Sequence, residues 1–271
     1  MPMFSSDERD RVRERVLGLA AADPRVVAGA LVGSLALDAG DRWSDLDLTL
    51  AVVDGVPVLE VLRDWTRTLI EEFAAVDLFD LAVGASLYRV FLLPGCLQVD
   101  LSFTPASAFG ATGPKFRLLF GRAVEKPSTA PPSPRELFGY AVHHALRARV
   151  CIERGRVWQA EYWLSGVRDT ALTLACLRRE LPAHQGRGFD ALPTEVRDAL
   201  REALVRSLER KELLRALRVA IAGLLREAGQ VRELAEMTAN VVPHLRELTS
   251  AWKEEHAPET PPESRGAPGT G

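Results

Sequence analysis

The sequence predicts two domains of different class, an α/β (α+β) domain followed by an all-α helical bundle. Three observations predict this organisation. The first half alternates short β-like runs with segments of helical period, a Pro/Ser-rich stretch follows, and the second half has helical period almost throughout. A chain of 271 residues is long enough for two domains of ordinary size.

The first half begins with a predicted helix over residues 7–21, which Ser5 or Ser6 would cap. Two buried strands follow, RVVAGALVG and DLDLTLAVV, and then the amphipathic helix VPVLEVLRDWTRTLIEEF. Three short β-like runs come next (AVDLFDLAV, LYRVFLLP and LQVDLSF), and RLLFGRAVE would add an edge strand. These elements assign residues 1–124 to the α/β domain.

The second half differs from the first in composition and in periodicity. Residues 125–134 form a Pro/Ser-rich linker that cannot adopt regular structure. Residues 135–255 contain five segments of helical period, and Pro243 should kink or break the last of them. Residues 256–271 have too little apolar surface to bury and are expected to be disordered.

Composition limits the classes of function. The net charge is −3 and neither half is strongly basic, which favours a small substrate over nucleic acid. No apolar run is long enough for a membrane span, and the polar N-terminus is not a signal peptide, so we expect a cytoplasmic protein without a membrane partner. Cys96, Cys151 and Cys176 lie in apolar contexts without metal spacing, which predicts buried free thiols in a reducing compartment.

Two aspartates stand in the second predicted strand, within the stretch GALVGSLALDAGDRWSDLDLTLAV. Asp45 and Asp47 share one side of the strand because residues two apart point the same way, while Leu46 and Leu48 face the other side. Neighbouring carboxylates repel, and such pairs are usually neutralised by a cation or a proton. The alternative is a solvated edge strand that carries two acidic residues.

A third aspartate, Asp100, stands in the middle of the apolar strand CLQVDLSF. If that strand lies beside the second one, three carboxylates converge and suit Mg²⁺, which takes the rest of its ligands from water and substrate phosphates. The turn at Gly33 and Ser34 lets phosphates approach the backbone, and the N–H groups of a following short helix bind anions. A metal beside a phosphate site indicates phosphoryl or nucleotidyl transfer.

These motifs resemble the signature of the nucleotidyltransferase superfamily, which includes DNA polymerase β and the antibiotic-modifying nucleotidyltransferases. That signature has an apolar residue, Gly, then Gly or Ser, followed after a spacer by two acidic residues in alternation with apolar ones, and by a later lone Asp in a strand. Here it covers about residues 25–105 and reads Val32-Gly33-Ser34, Asp45-Leu46-Asp47-Leu48 and Val99-Asp100-Leu101.

The resemblance implies a catalytic domain with a small mixed sheet, followed by a helical domain. It implies Mg²⁺-dependent transfer of a nucleoside monophosphate, AMP from ATP, to a hydroxyl group of a small molecule such as an antibiotic. Asp45 and Asp47 would hold magnesium ions that bridge the triphosphate, and Asp100 would complete the second metal site. Gly33 and Ser34 would seat the terminal phosphates.

The chain departs from this pattern after the Gly-Ser pair. Many relatives carry a basic residue there, where this chain has Leu35 and Leu37. The residues that would reach the triphosphate instead are Arg42, Lys115 or Arg117.

In the antibiotic-modifying relatives, a carboxylate outside the metal triad often acts as general base toward the acceptor hydroxyl. Glu161, in the helical run WQAEYW, fits that role because neighbouring aromatic rings raise the pKa of a carboxyl group. The alternative is a surface ion pair, for example with Arg154 or Arg168.

Two other functions stay open. The chain would nucleotidylate a protein partner if it belongs to a toxin–antitoxin or protein-modifying system, or it would be a non-catalytic nucleotide-binding module. A homo-oligomer is compatible with either.

Overall fold

The computed structural model describes residues 3–127 and 131–249. The chain divides into two compact units, residues 1–130 and residues 131–271. Within the described ranges, no helix is both long enough and apolar enough to cross a membrane.

The first unit contains every element that the sequence predicts for it. Its helices are α1 (Ser6–Ala22) and α2 (Val58–Phe73). Its strands are β1 (Val26–Val32), β2 (Leu46–Val52), β3 (Val76–Val83), β4 (Ser86–Leu93), β5 (Leu97–Pro105) and β6 (Phe116–Phe120). Helix α1 is capped by Ser5, whose hydroxyl accepts from the Glu8 N–H while the Glu8 carboxylate accepts from the Ser5 N–H.

The six strands form one mixed sheet in the order β3-β4-β5-β2-β1-β6. Strands β2 and β5 are parallel, and every other neighbouring pair is antiparallel. The register places Asp47 directly opposite Asp100. The small mixed sheet and the adjacency of the two aspartate-bearing strands are thereby confirmed.

The two faces of the sheet differ in polarity because side chains alternate along each strand. One face forms the main core with α1 and α2, and Trp65 of α2 packs edge-on against Phe103 of β5 with ring centroids 5.4 Å apart. Strand β2 contributes Leu46, Leu48, Leu50 and Val52 to this core. The opposite face carries the polar side chains of β2 and β5, namely Asp47, Thr49, Asp100, Ser102 and Thr104.

Strand β3 lies at one edge of the sheet and is exposed along its whole length. Its large apolar side chains have exposed fractions of about half, and they are Val76, Leu78, Phe79, Leu81 and Val83. The sequence predicts the strand but not this exposure, because a run of apolar residues normally indicates burial.

The second unit contains the five predicted helices. They are α3 (Pro134–Glu153), α4 (Val157–Leu177), α5 (Thr194–Arg201), α6 (Arg210–Ala228) and α7 (Ala235–Thr249). The prediction was that Pro243 kinks or breaks the last helix, and the break is wrong, since α7 continues through the proline. Apolar residues on both sides of the proline pack on the core and hold the helix in place, namely Met237, Val241, Leu245 and Leu248. The predicted tail, residues 256–271, lies outside the described residues.

The three cysteines are free thiols, as predicted. Cys151 and Cys176 are buried, but Cys96 is exposed, which corrects the expectation of three buried thiols. Cys96 follows Gly95 in the turn between β4 and β5, and both residues have positive φ there. Its apolar neighbours in sequence belong to the flanking strands, so they do not indicate the environment of the turn itself.

Candidate active site

Three carboxylates converge on the polar face of the sheet. One oxygen from each of Asp45, Asp47 and Asp100 lies within 4.8 Å of the others, and all three side chains are half-buried. Asp45 immediately precedes β2 rather than lying inside it, since that strand begins at Leu46. The strand is interior, between β5 and β1, so the alternative of a solvated edge strand is wrong.

The electrostatics of this cluster favour a bound cation. Burial raises the pKa of Asp100, the negative charge of Asp45 raises it further, and a hydrogen bond from the Gln98 side-chain amide (2.9 Å) opposes both effects. The ionised form of Asp100 is therefore disfavoured unless a positive charge lies nearby. Three hard oxygen donors at this spacing fit a divalent cation such as Mg²⁺.

Gly33 ends β1 and lies against this cluster. Its φ is +73°, and a Cβ added there would collide with the Asp47 carboxylate. The positive φ and the lack of room for a Cβ both require glycine at this position. The absence of a side chain lets the backbone of the turn lie close to the Asp47 carboxylate.

Ser34 begins a short 3₁₀ helix, Leu35–Leu37, so the predicted helix after the turn is a single turn. Its hydroxyl donates to the hydroxyl of Ser44 (3.2 Å), which ties the turn to the end of the spacer loop before Asp45. A single 3₁₀ turn aligns few peptide dipoles, so the N–H groups of the turn itself are what this segment offers to a phosphate.

The predicted phosphate-binding cations have different environments. The Arg42 guanidinium lies 4.1 Å from the ring centroid of Trp43 and donates to the Phe4 carbonyl (3.3 Å). Arg117 forms an ion pair with Asp38 (2.5 Å). Lys115 is half-buried and lines a cavity on the polar face of the sheet.

Glu161 lies on α4 in the second unit and is half-buried. Among the described residues, no ion pair joins it to Arg154 or Arg168, and Arg168 pairs with Asp169 instead (2.9 Å). The suggested ion pairs of Glu161 are therefore not formed, and its role as general base stays a prediction.

One residue of the site is missing from the sequence predictions. Arg9 of α1 is 6% exposed, and its Nη1 donates to the backbone carbonyls of Asp41 (2.6 Å) and Ser44 (3.2 Å). It thereby fixes the spacer loop that delivers Asp45. Arg9 lies about two helical turns before the buried Val16, so both residues are on the same face of α1, and this would have indicated that Arg9 faces inward.

Comparison with known proteins adds little to this geometry. No protein-family model matches the chain, and no curated protein matches it. Among solved structures, an aminoglycoside 6-adenyltransferase from Bacillus subtilis aligns with 87% of this chain and 96% of that one, at 15% identity and a TM-score of 0.39. A likeness this distant carries no weight for chemistry or substrate, so the function has to be inferred from the residues of the site.

Proposed function

We propose that this chain is a metal-dependent nucleotidyltransferase that transfers AMP from ATP to a hydroxyl group of a small molecule and releases pyrophosphate. The observation that supports this most is the convergence of three half-buried carboxylates beside a glycine turn whose backbone touches one of them. A cation would stabilise carboxylates held this close, and a cation beside a glycine turn suits a triphosphate.

Each residue of the site has a role in this proposal. Asp45, Asp47 and Asp100 would hold the metal, which when bound neutralises phosphate charge in the transition state. The turn at Gly33 and Ser34 would position the terminal phosphates through its N–H groups. Asp100 would also orient the attacking hydroxyl, because it lies on the strand farther from the turn.

The proposed acceptor is a small molecule rather than a nucleic acid, which agrees with the net charge of −3. Nucleotidylation of a protein partner and nucleotide binding without catalysis are the competing outcomes of the test below.

The test combines product detection with binding. The chain would be incubated with Mg²⁺, mixed nucleoside triphosphates and a panel of metabolites and antibiotics, and mass spectrometry would detect the gain of one nucleoside monophosphate. Asp47→Asn should abolish transfer with little loss of thermal stability. Asp77→Asn, at an exposed position on the edge strand β3, is the matched control and should remain active.

Thermal melts on the same samples separate the outcomes. ATP with Mg²⁺ should raise the melting temperature of the wild type much more than ATP with EDTA, and Asp47→Asn should remove most of that difference. Near-wild-type transfer by Asp47→Asn would overturn the metal-dependent mechanism. A metal-dependent shift without any product would indicate a nucleotide-binding module instead.

A further inference from the structure

A cavity of about 270 Å³ opens on the same face of the sheet as the three carboxylates. Thr49 forms part of its floor and follows Asp47 by two residues, so both side chains point to this face. Val32 also lines the cavity and lies across from Asp47 on the neighbouring strand, so the near end of the cavity is beside the carboxylates. One wall comes from residues 109–116, between β5 and β6.

The lining of this cavity is cationic and rich in hydroxyl groups. Its only charged side chains among the described residues are Lys115 and Lys126, both half-buried, and no carboxylate lines it. Phe109 and Phe116 pack edge-to-face with centroids 5.6 Å apart and give the wall an apolar surface. Five side chains contribute hydroxyl groups, namely Thr49, Ser86, Tyr88, Thr104 and Thr112, and those of Ser86 and Thr104 are hydrogen-bonded to each other (2.7 Å).

Beneath the floor lies a buried hydroxyl group that lacks a partner. Ser102 is 0% exposed, and its Oγ has no hydrogen-bond partner among the described residues. The register places it between Thr49 of β2 and Tyr88 of β4, both of which line the cavity. Ser102 itself does not line the cavity, so its hydroxyl adds polarity beneath the floor rather than a contact for a ligand.

The cavity begins level with the carboxylates and extends away from the glycine turn. Val32, which lines the cavity and precedes Gly33, lies across from Asp47, whereas Thr49 lies farther along β2. In phosphoryl transfer the attacking and leaving oxygens lie on opposite sides of the phosphorus atom. A triphosphate seated at the turn therefore leaves the cavity side to the attacking hydroxyl.

We propose that the cavity binds the acceptor, and that this acceptor is a single-ring, hydroxyl-rich molecule with a negative charge, of the sugar-phosphate type. The proposal rests on the proposed nucleotidyl transfer. The acceptor oxygen bonds to the α-phosphorus of ATP, the bond to pyrophosphate breaks with its electron pair leaving on pyrophosphate, and the hydroxyl proton passes to water.

Three features select this class of acceptor. Once a cation neutralises the three neighbouring carboxylates, the two lysines of the lining attract an anion and repel a polycation, which disfavours an aminoglycoside. The hydroxyl side chains match a ligand with several hydroxyl groups. The volume of about 270 Å³ lies just below the usual range for small-molecule sites, so one ring fits and several do not.

The test measures binding by titration calorimetry, with Mg²⁺ to neutralise the carboxylates and without nucleotide. The probes are glucose 6-phosphate, ribose 5-phosphate, glucose and kanamycin. At least one sugar phosphate should bind tenfold or more tightly than glucose, and kanamycin should not compete with it. Lys115→Met and Lys126→Met should each weaken sugar-phosphate binding by about tenfold, as expected for a lost charge-assisted hydrogen bond. Lys211→Met, at an exposed position in the second unit, should bind like the wild type.

Equal binding of glucose and both sugar phosphates would overturn the proposal, as would unchanged binding in both cavity variants with wild-type melting temperatures. Displacement of the sugar phosphate by α,β-methylene-ATP with Mg²⁺ would assign the cavity to the nucleotide and overturn it too. Failure of the proposed acceptor class and failure of the proposed transferase activity would give different results. Sugar-phosphate binding without any transfer would refute the transferase alone, and transfer to a neutral acceptor that Lys115→Met does not affect would refute the acceptor class alone.

Discussion

Replacement of Gly33 by alanine should disable the metal site while leaving the fold in place. Alanine at a φ of +73° strains the backbone, which costs about 1–2 kcal/mol of the free energy of unfolding. The new Cβ would also collide with the Asp47 carboxylate, since it would lie only 3.0 Å from Cγ. Carbon atoms in contact sit roughly 3.5–4.0 Å apart, so the carboxylate must move by about 0.5–1 Å.

That displacement is large for a metal ligand, because ligand distances vary by only about 0.2 Å in working sites. We expect the dissociation constant for Mn²⁺ or Mg²⁺ to rise by roughly 10- to 100-fold, the range seen when ligand orientation is disturbed. Titration calorimetry would measure it, with urea unfolding on the same protein to measure the stability cost.

Gly55→Ala is the matched control. Gly55 has a φ of +88°, at least as unfavourable for alanine, but a Cβ there would meet nothing within 4 Å. Both variants should lose similar stability, and only Gly33→Ala should lose metal affinity. Wild-type metal affinity in Gly33→Ala would refute the inference that this glycine shapes the carboxylate cluster.

Three further outcomes are expected. Asp100→Asn should stabilise the metal-free protein at neutral pH, because the raised pKa of Asp100 means that its ionised form lowers the free energy of unfolding. The gain should vanish below about pH 3.9, where the carboxyl group is protonated in both the folded and the unfolded state. Urea melts at the two pH values would check this. Glu161→Gln should lower kcat by about 10²–10⁴ without changing nucleotide affinity if Glu161 is the general base, whereas an unchanged kcat and pH–rate profile would return it to a structural role. Arg9→Met should cost about 1–3 kcal/mol of unfolding free energy and weaken metal binding, because the carbonyls of Asp41 and Ser44 lose a charged donor that is itself buried. Arg11→Met, which removes a contact within α1, should do neither, and equal effects from both would contradict the role given to Arg9.

Local periodicity was enough to predict the strands and the face that carries the carboxylates. Leu46 and Leu48 are buried in the core while Asp47 lies on the opposite face, because burial in a strand follows its two-residue period. Gly33 was predictable for a similar reason, since a glycine at the end of an apolar run indicates a turn.

Features that depend on side-chain conformation, or on contacts that no motif marks, were not predictable. The cavity is built from segments far apart in the chain, and no motif marks them. Arg9 acts through backbone carbonyls, which carry no residue-specific signal. Arg42 lies over the ring of its neighbour Trp43, an arrangement that depends on side-chain conformation rather than on sequence spacing.

The parallel pairing of β2 with β5 has a consequence for how the protein matures. Asp47 and Asp100 face each other only when β2 pairs with β5, and α2, β3 and β4 lie between these two strands in the chain. To bring two residues so distant in sequence together, the chain must first lose the conformational entropy of the loop between them, before their contact contributes any stabilising free energy. A chain that is still emerging during synthesis, or has partly unfolded, therefore carries the carboxylates without a cation site. Affinity for the metal then reports the pairing of β2 with β5, and molecules without that pairing cannot assemble the cluster.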